Sequence, residues 1–316
     1  MIERLRELPG HILRAFFIWA SRRRGLARLA TRMSITHRLI LRFVAGEALA
    51  DALDACARLN AAGLRTTIDV LGESVTAAAP ALAAADRYVE LLGALAARGL
   101  DGNVSLKLTQ MGLVVDPALC RENVARVAAR AAESGAFVRV DMEDSPKTDA
   151  TLALVRDLRT ATPDVGVVIQ SYLRRSADDV ERLILEGTRV RLCKGAYDEP
   201  DDVAFPTKPE VDASYRRLAE RLLRDGTYPA LATHDPALIA AATDFARREG
   251  IAASRFEFQM LYGIRRDLQA SLVKDGWTVR VYVPFGTEWY PYFMRRLAER
   301  PANVLFLLRA VLREGR

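Results

Sequence analysis

Only three cysteines, three histidines and five lysines occur among the 316 residues, and each scarcity closes a class of function. Cys56, Cys120 and Cys193 stand far apart, with no CxxC and no Cys/His pair at ligand spacing. A disulfide framework and a structural zinc site are therefore not expected, and a reducing compartment is. The histidines offer no HxH spacing for a metal. The 19 glycines form neither GxGxxG nor GxxxxGK followed by Ser or Thr, which argues against a Rossmann or P-loop nucleotide site. No apolar run approaches the ~20 residues that cross a bilayer. The net charge of +6 is carried almost wholly by arginine in an alanine-rich chain. That balance reflects genome composition more than a polyanionic ligand, so nucleic acid is not an expected partner.

Half of the residues are hydrophobic, enough for a core that needs no staples. Eight short β-rich runs end in polar or charged residues, with helical stretches between them. They are Thr66–Leu71, Val104–Leu108, Phe137–Met142, Val165–Gln170, Val190–Lys194, Pro229–Thr233, Arg255–Met260 and Thr278–Val283. Strands alternating with helices predict a parallel sheet, and eight repeats predict an α/β fold closed into a (βα)8 TIM-type barrel. Residues 1–64 read as an N-terminal helical extension and residues 65–316 as the barrel, with a C-terminal helix at Ala302–Arg313. Asp116-Pro117, Ser176 and Asp235-Pro236 signal helix starts. Gly135, Gly187, Gly226, Gly250 and Gly276 lie just past helix ends, where a left-handed residue is expected. The stretch Tyr197–Lys208 has no periodicity and reads as a loop, either over the barrel mouth or simply solvated. Apolar Ile12–Ala20, followed by Arg22–Arg24, is short and lacks a cleavage site, so it does not read as a signal peptide. It reads as a helix packed on the barrel or, alternatively, as a basic amphipathic helix resting on an anionic membrane surface.

In such a barrel the chemistry gathers at the C-terminal ends of the strands. There the sequence puts Asp69, Glu73, Lys107, Asp141, Glu143, Gln170, Lys194, Thr233, His234, Gln259 and Tyr282. Lys107 and Asp141 read as site residues or as a structural ion pair inside the barrel. Arg191 and Lys194, in Arg191-Leu-Cys-Lys-Gly-Ala-Tyr197, are charges within or at the end of a buried strand and need partners. Lys194 is a candidate Schiff-base nucleophile or a cation serving an anionic cofactor. On the helix after the last strand, Tyr292, Arg295, Arg296 and Glu299 share one face, and Trp289, Phe293 and Leu297 form an adjacent packing face. Paired arginines suit a carboxylate or phosphate, the alternative being a solvated face with an internal Arg–Glu pair. A magnesium site on Asp141, Glu143 and Asp144 is not the favoured reading, and no metal is expected.

Nine segments, in order, carry a resemblance to a family. They are Asp69-Val-Leu-Gly-Glu73, Ser105-Leu-Lys-Leu-Thr-Gln-Met-Gly112, Val140-Asp-Met-Glu-Asp144, Gln170-Ser-Tyr-Leu173, Arg191-Leu-Cys-Lys-Gly-Ala-Tyr197, Ala232-Thr-His234, Phe258-Gln-Met-Leu-Tyr-Gly263, Tyr282-Val-Pro284 and Tyr292-Phe-Met-Arg-Arg-Leu-Ala-Glu299. Each is weak alone; together, over roughly residues 65–305, the chain resembles bacterial proline dehydrogenases of the short, monofunctional kind. The resemblance implies a distorted (βα)8 barrel with noncovalent FAD. It implies that Arg295, Arg296 and Lys107 hold a substrate carboxylate. Asp141, Leu261, Tyr282 and Tyr292 resemble the residues around the proline ring, and Glu73 resembles an acid that gates the pocket. Arg191, Lys194, Gly195, Ala196 and Tyr197 resemble flavin contacts, as do Gln170, Thr233, His234, Gln259 and Glu299. Asp198 departs from the aromatic residue often found there in bifunctional members, which puts that local contact in doubt.

The implied activity is oxidation of L-proline to Δ1-pyrroline-5-carboxylate, the first step of proline catabolism, by hydride transfer to FAD N5 with electrons passed to a membrane quinone. The implied location is cytoplasmic, with a peripheral contact at the inner face of the plasma membrane. For a chain of this length the monofunctional form is the expectation. The rival readings are a methylenetetrahydrofolate-reductase-like flavoenzyme, a Schiff-base aldolase using Lys194 or Lys107, and a degenerate barrel serving as a membrane-associated scaffold.

Overall fold

The computed structural model describes Ala20, residues 40–72 and residues 74–299, the side chains of Arg295, Arg296, Ala298 and Glu299 excepted. Eight parallel strands close into a barrel in sequence order. They are β1 (Arg65–Val70), β2 (Gly102–Leu106), β3 (Val138–Val140), β4 (Val165–Gln170), β5 (Val190–Cys193), β6 (Ala230–Ala232), β7 (Glu257–Leu261) and β8 (Val279–Phe285). β8 closes the ring against β1, from Arg65↔Arg280 to Val70↔Phe285. Among the described residues α1 (Leu49–Ala61) precedes β1 and packs in the same core. The barrel helices are α2 (Ala78–Ala97), α3 (Pro117–Glu133), α4 (Thr148–Arg159), α5 (Ser176–Leu185), α6 (Lys208–Asp225), α7 (Pro236–Arg248), α8 (Arg266–Lys274) and α9 (Trp289–Glu299).

The strands are rich in β-branched residues, and alternation divides their side chains between two environments. Val104, Leu106, Val138, Val140, Val165, Val167, Val279, Val281 and Val283 are buried between sheet and helices, in one core with Leu91 and Leu92 of α2 and Val124 and Val127 of α3. The alternate residues face the lumen. Contacts between strands that are not neighbours, Ser105 of β2 with Arg191 of β5 and Tyr282 of β8 with Asp141 after β3, can only cross it. The lumen is therefore polar, and the apolar core lies outside the sheet.

The helix-start and helix-end expectations hold with two corrections. Asp116 and Asp235 accept from the N–H of Ala118 and Ala237, at 2.9 and 3.1 Å. Ser176 does not cap α5; its hydroxyl donates to the Gln170 carbonyl at 2.6 Å, because the chain enters α5 through helical Arg175. Gly135, Gly187, Gly250 and Gly276 are left-handed, with φ of 66, 63, 66 and 83°. Gly226 is extended (φ −77°, ψ 153°) with its N–H on the Leu222 carbonyl. The left-handed residue there is Tyr228, φ 45°, immediately before Pro229. The segment Arg22–Arg24, the stretch Ile12–Ala20 apart from Ala20, and Ala302–Arg313 lie outside the described residues.

The loop after β5 is neither loose nor merely solvated. The Glu199 carboxylate accepts from the N–H and hydroxyl of Ser145, at 2.7 and 2.5 Å. Phe205 N–H donates to the Tyr172 carbonyl at 2.8 Å, and Leu173 bridges to Ala204. The loop is strapped to the turns that follow β3 and β4. Helix α9 is fixed by Trp289, Tyr290, Tyr292, Phe293 and Leu297, which cluster with Ile40, Val44 and Leu71. The expected packing face is therefore real, and Tyr292 belongs to it.

Candidate active site

Asp141 sits at the centre of the strand-end residues. One carboxylate oxygen accepts from the Ser105 hydroxyl at 2.6 Å and from Arg191 Nη1 at 2.8 Å. The other accepts from the Tyr282 hydroxyl at 2.9 Å and from Lys107 Nζ at 3.3 Å. Four donors thus fill the lone-pair directions of one carboxylate. Burial alone would raise the Asp141 carboxyl, but the Lys107 ammonium and Arg191 guanidinium, with the hydroxyls of Ser105 and Tyr282, hold it below the usual carboxylate value. Burial and the neighbouring Asp141 charge push the Tyr282 phenol well above its ordinary value, so it stays a donor. The Arg191 guanidinium also stands 5.3 Å from the Tyr282 ring centre. The charge predicted to be costly inside β5 therefore has its partner in Asp141.

Lys107 is where it is because β2 ends at Leu106, two residues before the expected end of the β-rich run at Leu108. Its carbonyl accepts from the N–H groups of Gln110 and Met111, so the chain turns at Lys107 and lifts the ammonium over the strand ends. That ammonium also lies 3.6 Å from Asp69.

Around this network the other candidates fall into two sets. Gln170 donates to the Glu143 carbonyl at 2.8 Å, His234 Nε2 accepts from Leu261 N–H at 2.9 Å, and Gln259 Nε2 donates to Glu257 at 2.5 Å. The Thr233 hydroxyl accepts from Asp235 N–H at 3.1 Å. Lys194 stands apart, between Asp212 at 2.5 Å and Asp235 at 3.2 Å, and ties β5 to α6 and to the start of α7. Gly195 has φ 112° and lies flat against the Tyr172 ring, which any Cβ there would strike. Ala196 and Tyr197 follow it into the strapped loop. Glu73 lies outside the described residues. So do the side chains of Arg295, Arg296 and Glu299, whose backbone is on α9. Among the described residues no group of three His, Cys, Asp or Glu side chains is placed to hold a metal.

The sequence model described as proline dehydrogenase matches residues 52–309. The chain belongs to the proline dehydrogenase family. Proline dehydrogenase 2 of Bacillus subtilis strain 168 is 37% identical over 303 residues, covering 96% of this chain and 100% of that protein. The proline dehydrogenase of Deinococcus radiodurans is 42% identical over 277 residues, 86% of this chain and 89% of that one. A structure of proline utilization A (PutA) from Bdellovibrio bacteriovorus inactivated by N-propargylglycine superposes with a TM-score of 0.78 at 28% identity. It covers 86% of this chain and 34% of the other, so the chain spans about a third of that protein.

Two residues of this family member's network escaped the sequence. Ser105 bridges Arg191 and Asp141, yet a serine inside a strand carries no mark of its own. Tyr88 is a helix residue whose hydroxyl reaches Val70, Ser105 and Asp69; in sequence it is one apolar position of an amphipathic pattern.

Proposed function

We propose that the chain oxidises L-proline to Δ1-pyrroline-5-carboxylate with noncovalent FAD as hydride acceptor and a membrane quinone as final acceptor. Family membership makes it an oxidoreductase acting on proline, the first step of proline catabolism. The observation that carries the finer reading is the polar lumen at the strand ends. Among the described residues Arg191 Nε, beside Asp141, is buried there without a hydrogen-bond partner, and so, deeper along β7, is Gln259 Oε1. Such atoms cost about 1–3 kcal/mol each unless a ligand satisfies them. A flavin ring, with donors and acceptors along one edge, fits that need. Gln170, Arg191, Lys194, the Gly195–Tyr197 turn, Thr233, His234, Gln259 and Glu299 are the residues that would hold FAD. When bound, FAD accepts a hydride from the carbon next to the proline nitrogen.

The chain's own residues orient the substrate. Lys107, Arg295 and Arg296 hold the proline carboxylate, which is remote from the reacting carbon and so serves as a handle. Tyr282, held by Asp141, lines the pyrrolidine ring together with Tyr292 and Leu261. Glu73 gates the entrance. The proline nitrogen must lose a proton before hydride loss, so turnover rises with pH through the substrate amine. The N-terminal basic segment is the contact to the membrane that holds the quinone; among the described residues no helix is long and apolar enough to cross it.

The geometry disfavours the aldolase reading. Lys107 and Lys194 are each held between two carboxylates, contacts that a nucleophilic amine would have to leave to reach a carbonyl carbon. The deciding experiment is the visible spectrum of the purified protein before and after anaerobic L-proline. A flavin band that bleaches is expected. A band unmoved by proline redirects the search to another amine or to folate, and a protein colourless even after reconstitution with FAD sinks the flavin reading.

A further inference from the structure

Asp69 is the second-to-last residue of β1, 1% exposed, and has no part in the roles assigned above. Its carboxylate is 3.6 Å from Lys107 Nζ, which lies 3.3 Å from Asp141 on its other side. The ammonium is therefore shared between two fixed carboxylates. Its place relative to Asp69 is set by backbone as well as by side chains. The register of β1 with β2 ends at Asp69↔Ser105. There the hydroxyl of fully buried Tyr88 accepts from Val70 N–H at 3.1 Å and donates to the Ser105 carbonyl at 2.7 Å, with Asp69 Oδ1 at 3.3 Å. Gln110 Nε2 donates to the Val70 carbonyl at 2.7 Å. An outer-helix phenol and a loop amide thus lock the end of β1 to β2, the strand that Lys107 extends.

We propose that Asp69 is a positioning residue that tunes Lys107, limiting how strongly this side of the site attracts the substrate carboxylate. The proposal rests on the reading of Lys107 as part of the carboxylate handle. Among the described side chains two carboxylates, Asp69 and Asp141, lie within 4 Å of Lys107, and the second cation, Arg191, meets Asp141 at 2.8 Å. A third carboxylate arriving at Lys107 competes with both, in a buried setting where solvent screens little. Removing the charge of Asp69 while keeping its shape should strengthen anion binding through Lys107.

The test is calorimetric titration of the FAD-loaded protein with cyclopentanecarboxylate, a proline shape without the nitrogen, and with neutral cyclopentanecarboxamide. Asp69→Asn should tighten the carboxylate by roughly three- to tenfold and leave the amide unchanged. It should lower KM for proline more than it alters kcat, and Asp69→Glu should return both values towards the original. In a Lys107→Met background the Asn substitution should have no effect on the anion. Carboxylate binding that is unchanged or weaker in Asp69→Asn, or an equal change for the amide, overturns the proposal. So does an Asn variant that fails to fold where the Glu variant folds, since the carboxylate would then be a folding requirement. The titration needs no turnover. A parent protein inert to L-proline would fail the functional reading, while the effect of Asp69 on the anion would still be read.

Discussion

Ser105 shows how much one small side chain can hold. Its hydroxyl donates to Asp141 at 2.6 Å and accepts from Arg191 Nη1 at 3.1 Å, so it takes part in an ion pair that spans β3 and β5. Alanine there keeps the strand but strips a charge-assisted bond from a buried carboxylate. Ser105→Ala should lower stability by about 1.5–3 kcal/mol in urea unfolding, whereas a loss below about 0.5 kcal/mol would mean the ion pair closes without it. The charged members of this network were legible in the sequence because charge at a buried strand end demands an explanation; Asp141, Lys107 and Arg191 could be named on that ground. Ser105 and Tyr88 could not. A serine fits a buried strand whether or not it bonds across a lumen, and Tyr88 reaches the site only because α2 happens to lie over the β1–β2 seam.

At the scale of the element, alternation of strand and helix was enough to read the barrel, and the Asp-Pro starts of α3 and α7 were read correctly because their capping chemistry is local. Where tertiary context intervened, local signals misled. The β-rich run Val104–Leu108 reads as carrying β2 to Leu108, but the strand ends at Leu106 and the chain turns at Lys107. Ser176 reads as a cap, but its hydroxyl is taken by the Gln170 carbonyl. Helix α9 mixes both lessons. Its apolar face was legible from spacing, and it docks on Ile40, Val44 and Leu71 as well as through the Trp289 indole N–H to Glu47 at 2.9 Å. That anchoring fixes the helix whose backbone carries Arg295 and Arg296. Arg295→Met together with Arg296→Met should abolish proline turnover while flavin absorbance per protein stays as in the parent. Unchanged turnover would refute the clamp, and lost flavin would move these arginines to the cofactor.

For the whole molecule the consequence of a polar lumen is a stability that depends on buried ion pairs at both ends of the barrel. Far from the mouth, Glu257 of β7 holds Arg280 of β8 at 2.9 and 3.1 Å, with Gln259 on the same carboxylate. Arg280 also donates to the Thr66 carbonyl at 2.6 Å. Arg139, which burial and nearby Arg191 shift well below the usual arginine value, reaches the Val167 and Arg189 carbonyls across Gly166. A Cβ on Gly166 would meet that guanidinium and the Phe137 ring, so glycine makes room for the charge. Burial would raise the Glu257 carboxyl, but Arg280 and Gln259 hold it below the ordinary value of 4.5, as Lys107 and Arg191 hold Asp141 below 3.8. Both groups bind protons more weakly folded than unfolded. Their contribution is therefore complete above the unfolded values and is lost as pH falls through the folded ones. Stability should stay level from neutral pH down to about 5 and fall steeply below about 4.5. Glu257→Gln takes from Arg280 the carboxylate it meets at 2.9 and 3.1 Å, leaving it Asp101 at 3.4 Å, and should cost about 3 kcal/mol at pH 7. In acid the parent protonates the same group, so the gap in Tm between parent and variant should narrow as pH drops from 5 towards 3. Melting curves across that range decide it: a gap that stays constant would mean that the Glu257–Arg280 pair does not govern acid unfolding.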